Sequence, residues 1–159
     1  MGQEKALYTI QNTPMSIMIA QKLKEAGCRN IFIVSKKALP VPITQIHDNH
    51  HEHHPLYGVY TALTHCVDDL CLITPCDLPF VSTASYRLLR TQKQESIVSD
   101  MNKKHPLLGI FSSSRSEEAL LYAQKHRSVM SFVQEHNNII FSNSELRNIN
   151  RPQDIEDSS

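Results

Sequence analysis

The run Leu70-Cys71-Leu72-Ile73-Thr74 stops abruptly at Pro75-Cys76-Asp77-Leu78-Pro79-Phe80. A short apolar run without alternation, bounded by turn signals, reads as a strand buried on both faces. Such a strand needs helices above and below it, which restricts the chain to an α/β architecture. The run also delivers one carboxylate, Asp77, to the strand's carboxyl end between two prolines that stiffen the turn. Open α/β sheets bind their ligands at that end.

The rest of the chain alternates in the same way. Asn12-Thr13-Pro14 supplies cap candidates and an early proline for a helix with Met15, Ile17, Met18, Ile19, Leu23 and Ala26 on its apolar side, and Gly27 stops it. Strands are expected at Ile31–Val34, Ile43–Ile46 and Leu70–Thr74, then at 97–98, 106–111 and 139–141. Helices are expected over 55–66, 82–92, 117–126 and 129–135. This order predicts a three-layer, Rossmann-like α/β domain with a mostly parallel sheet. The single domain would run over residues 1–155, with 156–159 as a flexible tail.

Composition removes several function classes. With 16 basic and 16 acidic residues among 159, the chain is formally neutral and shows no basic patch for nucleic acid. No apolar run is long enough to span a bilayer, and no signal-peptide core follows Met1, so cytoplasmic residence is expected. The four cysteines at 28, 66, 71 and 76 match no common zinc spacing and read as reduced thiols in or near the core.

Six places could carry chemistry. Asp77 suits a Mg²⁺ ligand in a site that also holds phosphate oxygens; the same residue also suits a helix cap or a turn. His47-Asp48-Asn49-His50-His51-Glu52-His53-His54 concentrates five histidines, but without ligand spacing it reads as a solvated loop. Pro55-Leu56-Tyr57-Gly58 opens a helix whose free N–H groups can meet an anion, with Gly58 either permitting close approach or packing against a neighbour. His105 lies beside Pro106 at an element boundary. Asn148 and Asn150 share one side of an extended stretch, where their amides can serve phosphate or hydroxyl oxygens or simply a turn. Lys5 is either a point charge for phosphate or a surface lysine.

In order along the chain, Met1-Gly2-x-x-Lys5, Pro55-Leu56-x-Gly58, Pro75-Cys76-Asp77-x-Pro79-Phe80, His105-Pro106-Leu107 and Asn148-Ile149-Asn150-x-Pro152 resemble the molybdenum cofactor guanylyltransferase family. The resemblance implies a nucleotidyltransferase that joins GMP from GTP to the molybdopterin cofactor and releases pyrophosphate with Mg²⁺. It implies Asp77 as the metal ligand and Lys5 as a phosphate contact. Asp48 resembles the acidic residue that reads guanine, and Pro55, Leu56 and Gly58 resemble the wall of the nucleotide pocket. His105, Asn148 and Asn150 would face the pterin and phosphates. Partners would be small-molecule substrates, with other cofactor-biosynthesis proteins or molybdoenzyme chaperones beside them. Two rival expectations are a cytidylyltransferase for the same cofactor and a non-catalytic molybdopterin-binding remnant.

One departure is large. Family members carry a strand and a glycine-rich phosphate loop ahead of Met-Gly, and no such loop occurs in these 159 residues. The expectation is that an internal methionine stands as residue 1. It follows that this polypeptide should be weak or inactive in transfer, and that open strand edges should either lower its stability or be covered by a neighbouring segment. Ser35-Lys36-Lys37 replaces the asparagine that often meets guanine after the second family strand.

Overall fold

A computed structural model describes residues 5–151 and 153–156. A 3-10 turn, Lys5–Leu7, leads into a small hairpin of β1 (Thr9–Ile10) and β2 (Thr13–Pro14) and then α1 (Met15–Glu25). There follow β3 (Phe32–Ser35), β4 (Thr44–His47), α2 (Pro55–His65), β5 (Leu70–Ile73), α3 (Thr83–Arg90), β6 (Ser96–Ser99) and β7 (Lys104–Ser112). After a second 3-10 turn, α4 (Ser116–Gln124), α5 (Val129–Phe132), β8 (Asn137–Ile140) and α6 (Gln153–Glu156) complete the chain. Met1, Gly2, Pro152 and most of the expected tail lie outside the described residues.

The α/β architecture stands, and beyond the β1–β2 hairpin its strands fall into two systems. β3 and β4 pair in parallel, whereas the larger sheet has the order β5-β7-β6-β8. In that sheet β7 runs antiparallel to both β5 and β6, while β6 and β8 are parallel. Periodicity marks strands but carries no information on their direction, so the antiparallel β7 was not readable from its apolar pattern.

β3 and β5 share no ladder. Between them lies a cavity of about 1000 Å³, lined by 31–36 on one side and by 70–76 on the other. Helices α1 and α2 add Ile19, Leu23, Val59 and Ala62 to its walls. Among the described residues no strand occupies this space.

Local chemistry explains the boundaries. Pro14 itself stands at the α1 N-cap with no side-chain cap bond, while Asn12 has φ 65° in the hairpin turn; the cap expected from Asn12 or Thr13 is therefore absent. Gly27 ends α1 with φ 96°, and the next N–H, of Cys28, reaches back to the Leu23 carbonyl. His54 caps α2 by accepting from the Leu56 N–H through Nδ1, with Pro55 as the first helical residue.

Three apolar groups hold the layers. Ala6, Ile33, Leu39 and Val41 form one beside the β3–β4 pair. Ile19 of α1 meets Leu78, Val81, Tyr86 and Leu89 on one face of the large sheet. Leu56, Val59 and Leu63 of α2 meet Phe111, Ala119 and Phe132 on the other.

Gly109 fixes the register of β7. A Cβ there would lie 2.0 Å from the Ser96 carbonyl oxygen, beside the irregularity between Ile97 and Val98. Backbone cannot swing aside as a flexible side chain can. Gly109→Ala should cost about 3 kcal/mol, the upper end of overpacking effects, read as a lower urea midpoint. An unchanged midpoint would contradict the packing at this crossing.

Candidate functional site

Asp77 stands in the turn between β5 and α3. Ser82, not Asp77, caps α3 by accepting from the Ser85 N–H, so the aspartate is released from that ordinary role. Its backbone is held instead: the Ile149 N–H donates to the Asp77 carbonyl at 2.9 Å. That bond brings the 148–150 segment alongside.

Four of the expected residues meet there. Lys5 Nζ lies 3.7 Å from Asp77 Oδ2 and donates to Asn150 Oδ1 at 2.7 Å. Asn148 Nδ2 donates to Asp77 Oδ2 at 3.3 Å. Residues separated by more than 140 positions thus share one side-chain network. Asp77 keeps 20 % side-chain exposure, and Lys5 keeps 46 %. The carboxylate is reachable by solutes, and the ion pair is of the weak, solvent-screened kind that a competing anion can open.

Further along the same end of the strands, Asp48 is buried at the end of β4. Its Oδ1 accepts from the His50 N–H at 3.0 Å and lies 2.9 Å from the His50 ring Nδ1, and its Oδ2 lies 3.7 Å from Lys36 Nζ. Burial alone would raise its pKa. The His50 bonds and the Lys36 charge outweigh burial, so the Asp48 carboxyl sits below its ordinary value. Lys36 also donates to the carbonyls of His50 and Glu52.

The histidine-rich stretch is therefore ordered at several points. His50 stacks on Tyr57 with ring centroids 4.3 Å apart, Tyr57 donates its hydroxyl to Glu52, and His54 bonds the Arg127 carbonyl. His47, His51, Glu52 and His53 are exposed, as expected of a solvated loop, while the Lys36 clamp and the Tyr57 stack have no local sequence signature. No group of three or more His, Cys, Asp or Glu side chains suited to a metal occurs among the described residues.

The remaining expected residues divide. Asp48, Pro55 and Gly58 line the cavity between β3 and β5. A Cβ at Gly58 would meet nothing within 4 Å, so this glycine is not there for packing. The Leu56 side chain is fully buried in the α2 core and does not line this cavity. His105 is buried at the start of β7 with Nε2 3.4 Å from Asp100 Oδ2.

Residues 1–139 match the family described as the MobA-like NTP transferase domain. The chain belongs to that family. This MobA-like chain is 32% identical over 117 residues to a probable molybdenum cofactor guanylyltransferase of Flavobacterium johnsoniae, covering 70% of this chain and 62% of the relative. A probable molybdenum cofactor guanylyltransferase of Pelotomaculum thermopropionicum aligns over 98% of the chain and 83% of its own length at 27% identity. The MobA-like fold also superposes on molybdopterin-guanine dinucleotide biosynthesis protein A of Archaeoglobus fulgidus with a TM-score of 0.73, at 18% identity over 99% of this chain and 89% of that one. No helix among the described residues is long and apolar enough to cross a membrane.

The Asp48 knot predicts a pH signature. A carboxyl lowered by folding stabilises the folded state fully above its unfolded value, near 3.8, and that contribution disappears as pH falls through the lower folded value. Asp48→Asn should cost about 1–3 kcal/mol at neutral pH, the range for a broken buried hydrogen-bond set. The gap from wild type should close in acid, as read by urea unfolding at a series of pH values. A gap that persists unchanged below the folded value would contradict the assigned charge state.

Proposed function

We propose that this chain acts in nucleotidyl transfer to the molybdenum cofactor, with GTP as donor and pyrophosphate as leaving group. The observation that carries this reading is the joining of Asp77, Lys5, Asn148 and Asn150 in one network at the carboxyl end of β5. The family assignment and the names of the relatives support it.

The residues fit the chemistry. Mg²⁺ at nucleotide sites is commonly held by one or two carboxylates together with phosphate oxygens, so a lone, partly exposed Asp77 is a sufficient protein ligand. Bound there, the ion would offset charge on the phosphates. Lys5 is placed to bind phosphate once its ammonium leaves Asn150, and Asn148 can donate an amide N–H to the same oxygens. No protein nucleophile is needed, because the acceptor phosphate of the cofactor attacks and the enzyme's share is orientation and charge.

On the base side, Asp48 offers an acceptor at the edge of the cavity, with Lys36 holding the loop around it. Gly58 leaves space there that a flat ring can enter. We assign guanine over cytosine on the family resemblance and retain cytosine as the alternative, since both rings offer adjacent donor and acceptor groups. The glycine-rich loop that would wrap the triphosphate does not occur in these 159 residues, so transfer by this polypeptide should be slow.

Calorimetric titration with GTP, CTP and the molybdopterin cofactor, each with and without Mg²⁺, tests the reading. GTP should bind in a Mg²⁺-dependent manner, and Asp77→Ala should abolish the dependence. Gly58→Val should weaken GTP at least tenfold while leaving thermal stability near wild type. Cofactor binding without any nucleotide binding would instead identify a non-catalytic remnant. Turnover should lie at least about a hundredfold below that of a relative with an intact loop, the scale of losing positioned backbone donors. Equal turnover would refute that expectation.

A further inference from the structure

The two charged groups of the Asp77 network come from distant parts of the chain, and helix α1 touches the backbone next to each. At its first turn, the buried Ser16 hydroxyl donates to the Ala6 carbonyl at 2.7 Å, one residue from Lys5. The Met15 N–H donates to the Tyr8 carbonyl at 2.8 Å, closing the hairpin that returns from Lys5. Almost two turns later, Lys22 Nζ donates to the Pro79 carbonyl at 2.6 Å and the Val81 carbonyl at 3.0 Å, in the turn that begins at Asp77.

Lys22 is an unusual choice for this task. It is half-buried, and burial holds its ammonium below the ordinary lysine value despite Glu145 and Glu25 nearby. A charged amine withdrawn from water must be well bonded. Its bonds go to the two carbonyls of the Asp77 turn. Glu145 completes the frame, accepting from the Ser82 N–H at 2.9 Å and the Ser85 hydroxyl at 2.7 Å. It thereby ties the start of α3 to the segment that carries Asn148 and Asn150.

We propose that α1 is the strut that sets the Lys5–Asp77 spacing, with Ser16 and Lys22 as positioning residues for metal–nucleotide binding at Asp77. This rests on the nucleotidyl-transfer reading above. Neither side chain touches the ligand: Ser16 holds the turn that carries Lys5, and Lys22 holds the turn that carries Asp77. A rigid helix converts two separate hydrogen-bond sets into one fixed distance. Positions held on such elements are more precise than those on free loops.

Binding of Mn²⁺ with GTP, followed by electron paramagnetic resonance, tests the proposal in the full chain. Lys22→Met should weaken binding about tenfold and Ser16→Ala about threefold, losses of the size of one or two hydrogen bonds. Lys22→Arg, which can donate to both carbonyls, should recover most of the loss. Amide exchange over 78–82 should quicken in Lys22→Met and return toward wild type in Lys22→Arg.

Arg115→Met is the stability control. It breaks the distant network of Arg115 with Glu95 and Glu118, lowering the melting temperature without touching either turn. It should leave Mn²⁺·GTP affinity unchanged. Equal weakening by Arg115→Met and Lys22→Met would show a general stability effect and overturn the positioning role. Unchanged affinity in Lys22→Met would overturn it while leaving the proposed function intact. Wild type that binds no Mn²⁺·GTP, or binds it as well after Asp77→Ala, would overturn both.

Discussion

The β3–β4 pair and the four-stranded sheet share no ladder among the described residues, so the structure depends on helices packed across the break between them. Ile17 of α1 packs with the group around Ile33 and Val41, and Ile19, two residues on, belongs to the group around Tyr86 and Leu89. Neighbouring side chains of one helix are thus shared between the β3–β4 pair and the face of the large sheet. Helix α2 does the same from the other side, touching β3 and β4 as well as β5. Hydrophobic contact is non-directional. Alone it would hold the two halves together without fixing their relative placement. The directional bonds of Ser16, Lys22 and Ile149 supply that placement, Ser16 at the turn beside Lys5 and the other two at the Asp77 turn.

Much of this was legible in the sequence, for reasons that can be named. The strand ending before Asp77 is apolar because Leu70 and Leu72 pack into one apolar group and Cys71 and Ile73 into the other. Helix α1 begins one residue beyond Pro14 and α2 at Pro55, since proline at a helix start is favoured and the signal is local. The gathering of Lys5, Asp77, Asn148 and Asn150 was expected only through the ordered set of short motifs. Spacing alone could not have joined residues 5 and 150.

What escaped the reading was non-local. Lys22 looks like any helix lysine until Pro79 and Val81 are found opposite it. Lys36 looks like one of two surface lysines until the carbonyls of His50 and Glu52 surround it. The direction of β7 depends on which strands flank it. Leu56 stood in a motif and was expected at a pocket wall, yet its position on α2 turns it into the core. In that motif Gly58, one helical half-turn further on, is the residue beside open space.

The three lysines near the site show how burial sorts function among identical side chains. Lys22 and Lys36 have spent their donors on backbone carbonyls, two each, and each holds a turn in place. Their bonds cannot be exchanged for a ligand without releasing the backbone that shapes the site. Lys5 is the most exposed of these cations described here, and its partners are side chains only, Asp77 and Asn150. A phosphate arriving at Asp77 together with a divalent ion would take over the pairing of both charges, the carboxylate passing to the metal and the ammonium to the phosphate oxygens. Each of the two charges then has an oppositely charged partner before and after binding. That leaves Lys5 as the lysine whose rearrangement releases none of these backbone carbonyls, and as the cation suited to meet the ligand itself.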